Sequence, residues 1–396
     1  MARSSVAEIF TSLRQQPRTT RTALSLELGL GKATVSEAIA QLLASGLVEE
    51  VGKQQQERGR RQVVLELQAA TRLATGVQFS DEGCRAVLTD LLGNVLAETV
   101  RPLSHPSPAE FVDALVDSIE ALTADAPAPV IGLGVGVPGL VDPNGREIIA
   151  SVPYGWGRVQ LADILEPRLG IPVVVANRAK AAALGEYWRG NHQWPGNHHH
   201  LAYLHVGAGI AAGYVMDGEL FFGSGGAAGE IGHTTVSPDG PPCGCGNRGC
   251  LHTLAAEGAI IRDVRSRLRQ AAPDANGAPL PDLGALTIPA LVELADEGDP
   301  LVLAAVTDAA TWLGIAIANL INLVNPSIVV VGGSVSAFGE PLFEVIRAEV
   351  RQRALWDALN GVPIVPANLG DDAGTLGAAA LFLNQLDVAD LLAPAS

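Results

Sequence analysis

At 396 residues and 48% hydrophobic content the chain is long enough for two or three cores, and no apolar run has the length of a signal peptide or an unbroken membrane span, so a cytoplasmic protein is expected. A formal net charge of −16 argues against a nucleic-acid partner for the chain as a whole, yet residues 1–70 hold 9 Lys/Arg against 7 Asp/Glu while the remainder holds 17 against 35. A mildly basic head on a strongly acidic body would present one face to DNA and repel it elsewhere.

The head opens with Val6, Ile9, Phe10 and Leu13 at helical spacing, ended by Pro17. A second helix is expected after Thr19 or Thr20, burying Leu24 and Leu28, and Gly29 to Gly31 make a tight turn into a third. In that third helix Val35, Ile39, Leu42 and Leu43 form the apolar face and Gly46 closes the end. This is the order of a helix-turn-helix. Lys32, Ala33, Thr34 and Ser36 stand at the start of the third helix, where recognition side chains reach base edges and phosphates.

Two short strands, Leu47 to Val51 and Val63 to Leu67, then flank a polar tip with Lys53, Arg58, Arg60 and Arg61. The pattern is a winged helix-turn-helix whose tip arginines contact phosphates or a minor groove of double-stranded operator DNA. A packing or dimerisation module with a solvated basic hairpin is the alternative, and it leaves the basic tip unexplained. After a join at Gln68 to Arg72 come strands at Ala74 to Phe79, Arg85 to Thr89 and Val95 to Val100, then a capping box at Ser107 opening a helix with Phe111, Leu115, Ile119 and Leu122 inside.

Further along, a strand from Val130 to Val137 ends in Pro138-Gly139, and the buried strand ending at Asn177 runs directly into a helix. The segment Asn191 to His200 is dense in histidine and reads as a solvated loop, with transition-metal binding as the alternative. Residues 271–287 read as a surface connection, and Leu301 to Leu323 as a long core helix stopped at Asn325-Pro326.

The most specific signal is the glycine- and proline-rich stretch from Glu230 to His252. His233, Cys243, Cys245 and Cys250 form H-x9-C-x-C-x4-C, three soft sulfurs and an imidazole on a loop unable to make its own core. Tetrahedral zinc with four protein ligands would fold this loop and leave no open position, which makes the metal structural. Free or disulfide-paired thiols are the alternative. The remaining cysteine, Cys84, fits a strand interior.

GEIGH followed by CGCGNRGC resembles the zinc motif of the ROK family of sugar kinases and sugar-responsive repressors. The likeness spans roughly Leu73 to Leu383 and includes GVGVPGLVDPNG from Gly134, VVVANRAKAAALGE from Val173, VGAGIAAG from Val206, VVVGGSVS from Val329 and DDAGTLGAAAL from Asp371. It implies a winged helix-turn-helix head (1–70) on an actin-like, ribonuclease-H-like body with two α/β lobes. These would be residues 71–177 with 375–396, and residues 178–374 with the zinc loop, with a ligand cleft between them.

The same resemblance exposes departures. Family kinases carry a D-x-G-G-T-like phosphate loop, where this chain has Gln78, Ser80 and Asp81. Acidic side chains in place of glycines would repel phosphate. They also carry N-D, the Asp being the base; here the pair is Asn177-Arg178, and arginine takes no proton at neutral pH. Ala208 and Ala211 alter the second phosphate loop. Together these argue against a sugar kinase and against any enzyme activity.

For a ligand pocket, the resemblance implies Asn177, Glu230 and His233, with His233 meeting zinc through one ring nitrogen and the ligand through the other. Arg178, His252 and Tyr154 stand where the family has Asp, Glu and Asn. The loss of acids and gain of a cation favour an anionic sugar derivative. A neutral sugar, or a shut pocket in which Arg178 pairs with Glu230, are the alternatives. The expectation is a homodimeric or homotetrameric repressor of carbohydrate genes that binds DNA and a small sugar-like effector. A regulator answering instead to a protein partner is the second reading.

Overall fold

The computed structural model describes residues 4–54, 62–80, 83–192, 199–271, 286–355 and 361–392. The chain forms two compact units, one of residues 1–135, 161–174 and 379–396 and the other of residues 136–160 and 175–378. The head therefore shares a unit with the strands that follow it, and residues 136–160 join the second unit, where the sequence reading had put them with the first lobe.

In the head, α1 (Ser5–Gln15) starts at Ser4, whose Oγ accepts the Ala7 amide at 3.3 Å, and buries Val6, Ile9, Phe10 and Leu13. After β1 (Arg18–Thr20), Thr20 caps α2 (Arg21–Glu27), and Gly31 leads into α3 (Lys32–Ala44). Val35, Ala38, Ile39 and Leu42 face inward from α3. Gly46 at φ 72° ends it, with the Gly46 amide donating to the Leu43 carbonyl and the Leu47 amide to that of Leu42, a Schellman closure. The wing strands β2 (Val48–Gln54) and β3 (Gln62–Leu67) are antiparallel, in sheet order β1-β3-β2. Sequence patterning missed β1, because three residues beside a proline show no alternation; its register, Arg18 opposite Glu66, comes from a tertiary partner.

The strands β4 (Leu73–Ser80), β5 (Gly83–Asp90) and β6 (Val95–Arg101) form an antiparallel meander. α4 (Pro108–Thr123) carries the expected capping box: Ser107 Oγ accepts the Glu110 amide and the Glu110 carboxylate accepts the Ser107 amide. Next come β7 (Val130–Val137), the small pair β8 (Leu140–Val141) and β9 (Ile148–Ala150), α5 (Leu161–Leu169) and β10 (Val173–Asn177). The first large sheet has the order β10-β7-β4-β5-β6.

α6 (Arg178–Arg189) follows β10 with no loop between them. β11 (His200–Val206), β12 (Ile210–Met216) and β13 (Glu219–Leu220) precede the loop, then α7 (Leu251–Ala255), α8 (Glu257–Gln270), α9 (Ile288–Asp296) and α10 (Pro300–Val324). β14 (Ile328–Gly332), α11 (Glu340–Arg353), β15 (Ile364–Pro366), α12 (Asp372–Gln385) and α13 (Val388–Leu392) complete the chain. The second sheet runs β13-β12-β11-β14-β15, with β11–β14 and β14–β15 parallel. By length and composition α10 could cross a membrane, but 56% of its most apolar window is buried. Leu313, Ile317 and Ile321 belong to the core of the second unit, and α10 packs on α7, α8 and α11. Asn325 at φ 50° ends it.

α12 is shared by the two units. Near its start it approaches α6 so closely that a Cβ on Gly377 would strike the Ala181 carbonyl and one on Gly185 that of Ala373. Near its end the Leu383 carbonyl accepts Arg14 Nη1 of α1 at 2.7 Å, and α1 also packs on α13.

Candidate effector site, metal cluster and DNA-binding face

The loop after β13 is set by backbone geometry. A 3-10 turn at Ile231–His233 presents the imidazole, and Gly249, at φ 61°, abuts the Ser237 carbonyl with no room for a Cβ. Cys243 amide to Asn247 carbonyl (2.8 Å) and Gly246 amide to Cys243 carbonyl (3.0 Å) close a tight knuckle around the sulfurs.

The ligand atoms of His233, Cys243, Cys245 and Cys250 all lie within 4.8 Å of one another. Cys243 Sγ is 3.6 Å from His233 Nδ1, and Cys245 Sγ is 3.7 Å from Cys250 Sγ. A tetrahedron with Zn–S bonds of about 2.3 Å has S–S edges of about 3.8 Å and slightly shorter S–N edges. These two separations match those edges and exceed a disulfide's bond of about 2.05 Å, so the residues fit a tetrahedral metal. Without metal the thiols differ: burial pushes Cys250 up to about 12, while the Asn247 amide and neighbouring cluster atoms bring Cys245 down to about 7. A divalent cation would hold all three as thiolates.

Beside this cluster lies a cavity of about 400 Å³, lined by Gly139, Asn177, Arg178, His205, Glu230 and His233 among others, all of the second unit. With His233 Nδ1 turned to the sulfurs, Nε2 is left for the cavity. Asn177 caps α6, its Oδ1 accepting the Ala179 amide at 2.8 Å while Nδ2 donates to the Gly139 carbonyl at 2.7 Å. Lys180 is buried, donates to the Gly226 carbonyl at 2.7 Å and interacts electrostatically with Glu230; burial lowers its pKa and Glu230 opposes that shift. Burial, with the Arg178 charge adding to it, pushes His205 down to about 3, so this imidazole is neutral.

The Arg178–Glu230 pair considered from sequence is not formed. Arg178 makes no hydrogen bond or ion pair among the described residues, and Lys180 is the cation beside Glu230. Two further expected ligands stand elsewhere. His252 lines a neighbouring cavity of about 360 Å³ with Ala208, Pro241, Thr253 and Arg262. It sits on α7, two residues past Cys250, with its ring centroid 6.2 Å from that of His233. Tyr154 packs on Trp156 at 5.3 Å, and its neighbours Val152 and Pro153 line the larger cavity in its place. Sequence reasoning missed His205, whose position in a β-strand gives no signal for a cavity wall.

On the head, Lys32, Ala33, Thr34 and Ser36 are all exposed at the first turn of α3. Arg18 pairs with Glu66 and Arg21 with Glu50, both at 2.9 Å, and Arg14 bonds to Leu383. Lys32 has no carboxylate partner among the described side chains. The wing-tip residues Arg58, Arg60 and Arg61 lie outside the described residues, as do Asp81 of the first altered phosphate loop and most of the histidine-dense stretch.

The family model described as "ROK family" matches residues 75–385. The xylose repressor of Caldicellulosiruptor bescii is 32% identical over 370 residues, covering 92% of each chain. Among solved structures, a ROK family transcriptional regulator described as a homologue of the E. coli MLC protein superposes with a TM-score of 0.84 at 26% identity, covering 98% of both chains. A Streptomyces griseus ROK glucokinase in complex with glucose and AMPPNP gives a TM-score of 0.66 at 30% identity, covering 78% of this chain and 98% of its own. The regulator matches the chain from end to end, whereas the kinase leaves about a fifth of it unmatched. The expected α/β fold, a winged head on an actin-like body, is borne out by these likenesses.

Proposed function

The chain belongs to the ROK family, and from that premise we propose that it is a DNA-binding transcriptional repressor of carbohydrate transport or catabolism genes, released by a small sugar-like effector. The observation that carries this reading is the head: a helix-turn-helix with an antiparallel wing, exposing Lys32, Thr34 and Ser36 on one turn. Such a helix reads base edges in the major groove while basic wing residues add salt-dependent phosphate contacts. Paired heads on a homodimer or homotetramer would read paired half-sites.

The effector site in this reading is the cavity beside the metal cluster, with Glu230 and His233 as polar anchors and Asn177 fixing the start of α6. Zinc, held by His233 and the three cysteines, would stiffen the loop that carries two of these groups. Phosphoryl transfer is proposed to be lost: at the base position stands Arg178, which cannot accept a proton, and Ala208 and Ala211 replace usual phosphate-loop residues. An open cavity of about 400 Å³ speaks against a shut pocket that answers only to a protein partner.

A route from effector to DNA follows from α12. α6 begins at the cavity and packs on α12 through Gly185 and Gly377, and α12 ends on Arg14 of the first head helix. A ligand preferring one placement of α6 would bias the head through this helix, provided that it binds one arrangement better than the other.

Genome-wide recovery of DNA fragments on the zinc-loaded protein, followed by sequencing, tests the proposal. Discrete sites with a paired motif upstream of sugar transport or catabolic genes are expected. No enrichment at low salt would return the head to an interaction module.

A further inference from the structure

We infer that the effector carries an anionic group, a phosphate or carboxylate on a sugar-sized polyol, and that Arg178 is the residue which selects it. This inference rests on the effector reading of the cavity given above and adds the chemical class of the ligand. Its ground is the charge inventory of the cavity wall.

A guanidinium and a carboxyl group line the cavity, Arg178 and Glu230. Glu230 has its counter-charge in the protein, because the buried Lys180 lies close enough to interact with it and is fixed on the Gly226 carbonyl. Arg178 has none among the described residues, although it is half-buried at the first position of α6. His205 in the same wall is held neutral and adds no second positive charge. The cavity wall is left with a half-buried guanidinium that has no hydrogen-bonded or ion-paired carboxylate among the described residues.

Arginine is matched to this task by shape as well as charge. Its planar fork pairs two N–H groups with two oxygens of a carboxylate or phosphate, a geometry that a neutral hydroxyl cannot satisfy. The positive end of the α6 dipole lies at the same place and acts in the same sense. A volume of about 400 Å³ falls in the range of small-ligand sites and accommodates a monosaccharide with one such substituent. Glu230 and the free ring nitrogen of His233 would remain for the hydroxyls.

The test measures binding by calorimetry and operator release by fluorescence anisotropy with the zinc-loaded full chain. Glucose and xylose serve as neutral probes, glucose 6-phosphate and glucuronate as anionic ones, and inorganic phosphate as the bare anion. An anionic sugar is expected to bind on the order of ten- to a hundredfold more tightly than its neutral counterpart, the range of a charged hydrogen-bonded pair. Phosphate preferred over carboxylate, or the reverse, identifies which anion the site takes. Arg178→Gln should erase this preference, and Arg178→Lys, which keeps charge but not the fork, should restore part of it. Unchanged zinc content and melting temperature of the ligand-free variants establish that they are folded.

The outcomes separate the two levels of the reading. Neutral sugars binding as well as anionic ones, or a preference that survives Arg178→Gln, overturns the anionic class and leaves a sugar-responsive repressor intact. Anionic sugars that bind through Arg178 without releasing operator support the ligand class and overturn the effector role. Inorganic phosphate binding as tightly as the sugar phosphate shows an anion site alone and overturns the polyol part. Binding of none of the probes overturns both.

Discussion

The amino-terminal head and the metal loop reach defined shapes by opposite means. In the head, Ile9, Leu13, Leu24, Ile39, Leu42 and Leu65 are fully buried against one another, so apolar area removed from water offsets the entropy of ordering the chain. Between His233 and Cys250, Cys243 and Cys250 are the buried side chains of apolar class, and they are ligands. Without a metal that loop would rest on backbone hydrogen bonds and on surface side-chain bonds such as Asn247 Nδ2 to Thr235 Oγ1. A core tolerates gradual erosion, whereas a four-ligand site is all or nothing. In the proposed reading, the segment beside the cavity is therefore the one whose order would depend on a diffusible ion.

Breaking the loop should give the largest effect. Zinc binding is worth on the order of 10–16 kcal/mol in isolated zinc-finger peptides, and even a part of that exceeds any single core deletion. Cys245→Ser, or a strong chelator, is expected to lose metal by elemental analysis, lower the melting temperature and abolish effector response together. Retained zinc with a normal response would remove the structural role assigned to this cysteine.

The opposite lesion should be smaller and confined to the head. Ile39→Ala leaves a hole in the core beneath α3, with a cost of about 2–5 kcal/mol. Operator affinity should fall while zinc content and effector affinity hold, read by anisotropy and calorimetry on one preparation. Equal loss of effector binding would mean that the two regions do not fold independently enough for the contrast to stand.

Acid provides an intermediate probe. His205 is lowered to about 3 by burial, against an unfolded value near 6.5, so between these values the unfolded chain binds the proton that the folded one refuses. Its contribution to stability is present above pH 6.5 and is lost as pH falls from there toward 3. Hydrogen exchange should show β11 and the cavity wall loosening on acidification before α3 does, and His205→Gln should flatten that difference.

Arg14 ties the first head helix to the end of α12. Its bond to the Leu383 carbonyl, at the negative end of α12, is a charged hydrogen bond worth about 1.5–3 kcal/mol, and burial lowers its pKa to about 10. Arg14→Gln should leave operator and effector affinities each within a fewfold of the parent when measured alone. What should weaken is the effect of one on the other, and unchanged coupling would exclude this route.

Legibility in the sequence followed the range of the interactions. The helices of the head and the metal set could be read because each is fixed by residues close along the chain: a 3.6-residue apolar period, or four ligands within eighteen positions. β1 could not be read, since its only reason to be a strand is β3, nearly fifty residues away. The join at Asn177-Arg178 lies in the wall of the larger cavity, whereas His252 lines the neighbouring one and Tyr154 lines neither. Position within a motif specifies a place on the backbone, and the packing of Trp156 on Tyr154 or the turn of α7 decides which way a side chain faces. The identity of the cation beside Glu230 was likewise settled by burial, which favours Lys180 on the carbonyl of Gly226.

The smallest effect expected concerns the outer surface of the head. Of its described cations, Arg18 and Arg21 pair with Glu66 and Glu50, and Arg14 bonds to the Leu383 carbonyl. Of the described side chains that leaves Lys32, exposed at the amino-terminal turn of α3, as the candidate phosphate contact. Lys32→Ala should weaken binding to all DNA sequences alike, by about 1 kcal/mol, and reduce the slope of log affinity against log salt by about one unit. Thr34→Ala should instead change preference among operator variants with the salt slope unaltered. If Lys32→Ala altered sequence preference and left the slope untouched, the lysine would be reading a base, and the phosphate contacts would have to come from the wing.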